Sequence, residues 1–295
     1  MDPNSKSILM SSSGGPSGPE YIGTYKFQTP QSYPNNTYVW TVPAQTEYIQ
    51  AIAWGSGGEG YEGLAIFCSI FGNATYCKGG MGGCGGYATA VIPVTAGEQL
   101  SIYVGTAPND GDSLTSTSPT VPPGGGGFTG VIRGNTPLLI AGGGGGAGQT
   151  TATRTSGMGR ANADGGNGGG DPAGGTLSNS YGNSGTYLVG GSPNGGHGYQ
   201  GGDGGSYQRG GEGGTGYISA SGNLHASQIT SPYFPPDVPN SSSTNPDYVW
   251  PHGRHGSLRN EGWKSGLLVL HLLGGGYNPV AAPVIPNPRT ILATI

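Results

Sequence analysis

Several groupings of residues could carry chemistry. Gly55, Gly57 and Gly60 form a GxGxxG pattern directly after the strand-like YIQAIAW (48–54), and EGLAIFCSIF (62–71) could follow it as a helix. A dinucleotide site needs that order, because the glycines let the backbone approach a pyrophosphate and the helix N-terminus faces it. The βαβ alternation stops there, and no acidic residue ends a second strand at the required distance. In a chain this rich in glycine the pattern arises by chance, and no cofactor is assigned. Asp164, Asp171 and Asp203 sit among glycines, and Asp110 with Asp112 make a DxD loop. A calcium β-roll requires a nonapeptide period with an aliphatic residue in each repeat. That period is missing, and these residues read as turn aspartates.

His252 and His255 flank Gly253 and Arg254 and could hold one edge of a metal ion, but no third ligand is near them in sequence. No metal is assigned. Cys68, Cys77 and Cys84 lie in one short stretch without CxxC spacing. They read as reduced, buried thiols, with one bridge plus a free thiol, or a metal clip, as the alternative. The sequons at Asn35, Asn73 and Asn240 read as unmodified in the absence of a secretory leader. GxSxG, HExxH and paired-carboxylate contexts are all missing, so a non-enzymatic protein is expected.

The elements that would position such residues are dominated by composition. Of 295 residues 64 are Gly and 24 are Pro, against roughly 7% and about 5% in average proteins. Collagen is excluded because runs such as Gly142 to Gly146 followed by Ala147 break a strict every-third-residue register. Disorder couples low hydrophobicity to high net charge and few aromatics. Here the net charge is only −4, and 17 Tyr and 4 Trp cluster in strand-like segments on either side of the glycine-rich stretch. With 11 Lys plus Arg there is no cationic footprint for a nucleic-acid backbone, and no apolar run is long enough to span a membrane.

Strands are expected at TYVWTVP (37–43) and YIQAIAW (48–54), paired as a hairpin, then at YATAVIPV (87–94) and QLSIYVG (99–105) around the turn TAGE. PLLIA (137–141) suits a buried strand, and GLLVLHLL (266–273) a final strand covered on both faces. Residues 142–216 form a glycine-rich insertion in which Tyr181, Tyr187, Leu188, Val189, Tyr199 and Tyr207 stand between GG clusters, an arrangement a flexible linker would not need. The expected conformation is a bundle of polyglycine II helices whose backbone groups satisfy one another laterally, since only glycine permits the approach.

The expected organisation is therefore an extended N-terminal arm (1–22), a glycine-rich β-sandwich (23–273) carrying that insertion and an aromatic, Pro-rich excursion (226–264), and an extended C-terminal arm (274–295). The fold class is mainly β: an antiparallel, jelly-roll-like sandwich. Large aromatics dominate interface energy, so the excursion's Tyr233, Phe234, Tyr248, Trp250, His252 and Trp263 are candidate partner contacts. Val284, Ile285, Ile291 and Leu292 are candidates because an apolar tail is poorly solvated alone.

The succession AIAWGSGGEG (51–60), GGMGGCGGYATAVIPVTAGEQLSIYVG (79–105), GGGGFTGVIRGNTPLLIAGGGGGAG (124–148), GG clusters and a closing GLLVLHLL resembles the extracellular glycine-rich domain of the anaplastic lymphoma kinase and leukocyte tyrosine kinase receptors. A vaguer similarity is to polyglycine-sandwich adhesins at the tail tips of contractile bacteriophages. The first resemblance implies a β-sandwich with arrayed polyglycine helices and binding of protein ligands; the second implies attachment to host surface proteins. The chain shows no kinase, membrane span or signal peptide, so signalling does not carry over. The expected function is a virion structural protein, capsid-associated or part of a fibre, with other subunits of the assembly as partners. The alternative is an adhesin for a host surface protein or glycan. MDPNSKSILMSSSGG lacks a signal's apolar core, so synthesis in the cytoplasm is expected.

Overall fold

The computed structural model describes residues 21–29, 37–59, 82–107, 124–146, 186–191, 195–204, 211–219, 226–229, 246–249, 252–253 and 265–274. Ten strands run through them: β1 (Tyr21–Phe27), β2 (Tyr38–Thr41), β3 (Tyr48–Trp54), β4 (Tyr87–Pro93), β5 (Gln99–Tyr103), β6 (Thr129–Arg133), β7 (Thr136–Ala141), β8 (Tyr217–Ile218), β9 (Ala226–Ile229) and β10 (Leu267–Leu273). They form two five-stranded sheets, ordered β1-β10-β3-β4-β9 and β2-β5-β6-β7-β8, and every named pairing is antiparallel. The fold is mainly β, two sheets packed as a sandwich, and the described residues contain no helix.

Side chains alternate across a strand, so every second residue of each sheet enters the shared core. From the first sheet come Ile49, Ala51, Ala53, Ala88, Ala90, Ile92, Leu268, Leu270 and Leu272; from the second come Trp40, Leu100, Ile102, Val131, Leu139 and Ala141. The alanines of β3 and β4 share this cluster with larger residues of the second sheet. β10 is buried along its whole length because its other face, through Leu267 and Val269, packs with Ile52, Trp54 and Tyr87.

Where β6 pairs with β7 the register slips between Val131 and Ile132, so Val131 faces Leu139 and Ile132 faces Pro137. The extra residue, Leu138, joins the core beside Leu139, and Pro137, which has no N–H to donate, lies at this irregularity.

Two sequence expectations are corrected. Residues 37–43 and 48–54 do not form a hairpin: β2 pairs with β5 in one sheet, and β3 lies between β10 and β4 in the other. Likewise the turn after β4, with Gly97 at φ 80°, carries the chain from one sheet to the other. Arg133 pins that corner, its guanidinium bonding the Glu98 carboxylate and donating to Pro93 O at 2.8 Å. β1 starts at Tyr21, inside the expected N-terminal arm.

Candidate functional site

At one end of the sandwich the strands run out into glycine. Trp54 of β3 leads into Gly55–Glu59, Gly82–Gly86 leads into β4, Gly124–Phe128 leads into β6, Ala141 of β7 leads into Gly142–Gly146, and Gly211–Gly216 leads into β8. Without side chains nothing holds the sheets at their usual spacing of about 10 Å, and the two layers merge. Ser56 N, from the first sheet, donates to Gly127 O of the second at 2.9 Å, and Gly266 N donates to Gly105 O at 2.8 Å.

The hydrogen bonding in this region has a period of three residues, where a strand would have two. Gly55 N and Gly58 N donate to Gly86 O and Gly83 O, whereas Ser56 N and Glu59 N donate to Gly127 O and Gly124 O. The central segment repeats the pattern from the acceptor side. Gly142 O and Gly145 O accept from Gly86 N and Gly83 N, Gly143 O and Gly146 O accept from Gly214 N and Gly211 N, and Gly144 O accepts from Gly126 N. Residues 142–146 are all buried. A Cβ on Gly144 would collide with Gly83 O and lie 2.8 Å from Cys84 O, so the packing itself demands glycine there. Further out, Gly143 N donates to His197 O, Gly196 N to Glu212 O and Gly202 N to Gly196 O.

This lattice accounts for several residues singled out from sequence. The amides of Gly55 and Ser56, which a pyrophosphate would require, bond to glycine carbonyls, while Gly60 and 62–71 lie outside the described residues. Cys84 is buried within a lattice segment; Cys68 and Cys77 lie outside the described residues. Asp203 accepts from Glu212 N through its carbonyl. His197 is pressed among these segments, and burial lowers its pKa below the ordinary imidazole value. Sequence reasoning expected ordered glycine at 142–216; the hydrogen-bonded glycine network also takes in 55–59, 82–86 and 124–127, whose signal was GG clusters abutting strand ends.

Each outer sheet face carries a cover. On the first sheet, Tyr248 and Val249 pack against the Trp54 cluster, and the rings of Tyr248 and Trp54 lie 5.6 Å apart. Tyr248 Oη donates to His252 O at 2.8 Å, and His252 Nδ1 donates to Ser265 O at 3.1 Å. Beside them is a polar chain that sequence reasoning missed, although one signal was visible, a histidine inside the apolar run 267–273. His271 Nε2 lies 2.7 Å from Asp247 Oδ2, its Nδ1 lies 2.8 Å from Thr24 Oγ1, and Thr24 meets the Tyr21 hydroxyl. Lys26 Nζ stands 3.8 Å from Asp247 Oδ1. Burial, outweighing the Thr24 bond and joined by the Asp247 charge, raises the Tyr21 pKa.

On the second sheet, Leu188 packs with Phe128, Ile132 and Ile140, and Tyr103, Tyr199 and Tyr217 close around them. Tyr199 and Tyr217 stack with centroids 4.1 Å apart and planes 13° from parallel.

Of the expected partner contacts the structure thus places Tyr248 and His252 side by side against the first sheet. Tyr233, Phe234, Trp250, Trp263, Val284, Ile285, Ile291 and Leu292 lie outside the described residues, as do Asp110, Asp112, Asp164, Asp171 and His255.

A family model described as a glycine-rich domain matches residues 32–243. The chain belongs to the glycine-rich domain family. No curated protein matches it. In this glycine-rich domain the matched span includes β2 through β9 and the described lattice segments, so the family signature and the merged end of the sandwich coincide.

Proposed function

We propose that this glycine-rich domain protein is a non-enzymatic structural component of a virion, in which the glycine lattice is a stiff block and the segments at 1–20 and 275–295 engage neighbouring subunits. The observation that carries the reading is the three-residue hydrogen-bond period running between glycine segments from both sheets. It supports an assignment of these segments to polyglycine II helices, as in the receptor glycine-rich domains and phage adhesins that the sequence resembles. Glycine loses more conformational freedom on folding than any other residue. A fold that orders so many of them is suited to holding shape, which supports a structural role.

Hydrogen–deuterium exchange on the full-length protein tests the scaffold. Slow exchange at 142–146, 195–204 and 211–216, comparable to β3 and β10, is the expected outcome; rapid uptake throughout these segments would remove the block. Co-expression with the other subunits of the purified particle tests the assembly role. Removing 1–20 or 278–295 should abolish incorporation, and normal incorporation of both truncated forms would defeat the assembly reading.

A second reading, attachment to a host surface molecule, is favoured by one observation. Tyr187 and Val189, which are 51% and 40% exposed, are among the few large apolar side chains on the described surface.

A further inference from the structure

β2 stands at the margin of the second sheet, with β5 as its neighbour on one side. Val42, one residue past the end of β2, shows which backbone groups that pairing uses. Val42 N donates to Glu98 O at 2.8 Å and Gly97 N donates to Val42 O at 2.9 Å, so this residue turns both groups toward the β4–β5 turn. Backbone direction alternates along an antiparallel strand. Tyr38 and Trp40 therefore face β5 as Val42 does, and Val39 and Thr41 turn their N–H and C=O groups to the open side. Among the described residues none bonds to the groups on that side.

The side chains of the same two residues are open as well. Val39 is 63% exposed and Thr41 is exposed, whereas Trp40 between them is buried in the core. A strand margin of this kind is a template for another strand unless something blunts it. β1 is blunted, since its register on β10 shifts between Tyr21 and Gly23 and it carries Lys26. β8 is only two residues long. β2 has an unbroken register, and residues 37–46, TYVWTVPAQT, carry no charge. Pro43, which has no N–H to donate, limits the ladder at its far end without touching Val39 or Thr41.

What the margin accepts follows from its own chemistry, and a second copy of β2 matches it group for group. Laid antiparallel about a two-fold axis at Trp40, Val39 of each copy meets Thr41 of the other. Both residues already turn their backbone groups to that boundary, so two reciprocal pairs of N–H···O bonds form. Each pair sets valine beside threonine on the outer face, and β-branched side chains suit a cross-strand contact. An uncharged strand meets itself without repulsion. Trp40 of both copies stays on the core side, so two five-stranded sheets become one of ten with their buried faces aligned. Such a contact closes on itself, as a two-fold interface must. A ladder from Tyr38 to Val42 falls short of the roughly 800 Å² per partner of a stable complex, so the pairing is reversible and grows with concentration.

We infer that β2 is a self-association edge, pairing antiparallel with β2 of a second copy of this chain. The inference names one neighbour in the proposed assembly as another molecule of the same protein, and rests on the structural reading for its purpose. Normal incorporation of the truncated forms would defeat that reading, whereas a chain that stays monomeric would defeat this contact alone.

Sedimentation velocity of the full-length protein over a concentration series is the first measurement, and a reversible equilibrium between monomer and dimer is expected. Residue-resolved amide exchange by NMR then locates the contact. The Val39 and Thr41 amides should slow by about fivefold or more between dilute and concentrated samples, while Tyr38 and Trp40, already bonded to β5, stay as they are. Val39→Lys sets like charges across the boundary and should raise the dissociation constant by about tenfold or more. Asn135→Lys puts the same charge in the exposed turn between β6 and β7 and should leave the constant unchanged. Both variants should melt as the parent does. A monomer at every concentration, self-association that Val39→Lys leaves intact, or unchanged exchange of the Val39 and Thr41 amides in the dimer would each overturn the pairing. Should Val39→Lys fail to fold, exchange of those two amides in the parent decides.

Discussion

At the scale of single residues, identity is dictated in the lattice by what an added carbon would meet. The Gly144 Cβ position is blocked by backbone of the Gly83–Cys84 segment, which cannot step aside as a flexible side chain would. Gly144→Ala should therefore destabilise the protein by about 3 kcal/mol or more, as overpacking against fixed backbone does. Gly23, by contrast, is in β1 with nothing within 4 Å of its Cβ position, and Gly23→Ala should change stability by less than about 0.5 kcal/mol. Urea melts of the two variants make the comparison, and equal effects would mean that the lattice tolerates side chains. His197 adds a pH dependence. Its folded-state pKa lies below the ordinary 6.5 because burial penalises the imidazolium, so the unfolded chain binds the proton more readily. Its stabilising contribution is full above about pH 6.5 and declines as the pH falls through that value. His197→Gln should flatten the parent's fall in melting temperature between pH 7 and pH 5, and an unchanged slope would argue against a neutral, partly buried imidazole.

At the scale of elements, the segment around Asp247 is fastened to the first sheet by a carboxylate shared between His271 and Lys26. Asp247→Ala leaves the His271 Nε2–H without its acceptor beneath that cover and should cost about 1–3 kcal/mol. The same change should speed amide exchange at 246–253 while β3 and β4 stay protected; uniform acceleration would show that the cover is not a separate unit.

How far such elements could be read from residues varied with the kind of signal. β3, β4, β5, β7 and β10 were legible because runs such as Leu267–Leu273 are apolar or alternate cleanly. β1 and β6 were not, since Gly23 with Lys26 and Gly130 with Arg133 interrupt their patterns, although Gly130 is buried and packed tightly against Ile140. Partner choice was hidden as well. A short polar turn says that the chain reverses but not whether the next strand pairs within the sheet or crosses the core, and both β2–β3 and β4–β5 cross. The Thr24–His271–Asp247 chain joins residues 247 and 24 positions apart, a proximity that only the pairing of β1 with β10 creates.

At the scale of the whole molecule, the sandwich and the lattice are one hydrogen-bonded body, since segments leaving both sheets meet at Ser56, Gly127 and Gly144. Global unfolding should therefore be a single transition in which strand and lattice amides exchange together at low denaturant. Two separated transitions would mean that the glycine region melts on its own. The topology also bears on synthesis. β10, last of the described strands to leave the ribosome, is inserted between β1 and β3, so until residue 273 is translated β1 lacks its partner and one side of β3 stands open. A chain interrupted before Leu267 would present two sticky edges together with the Ile49, Ile52 and Trp54 surfaces that β10 conceals, the kind of species that chaperones retain and proteases remove. Closure of the first sheet is thereby tied to translation of the chain through residue 273.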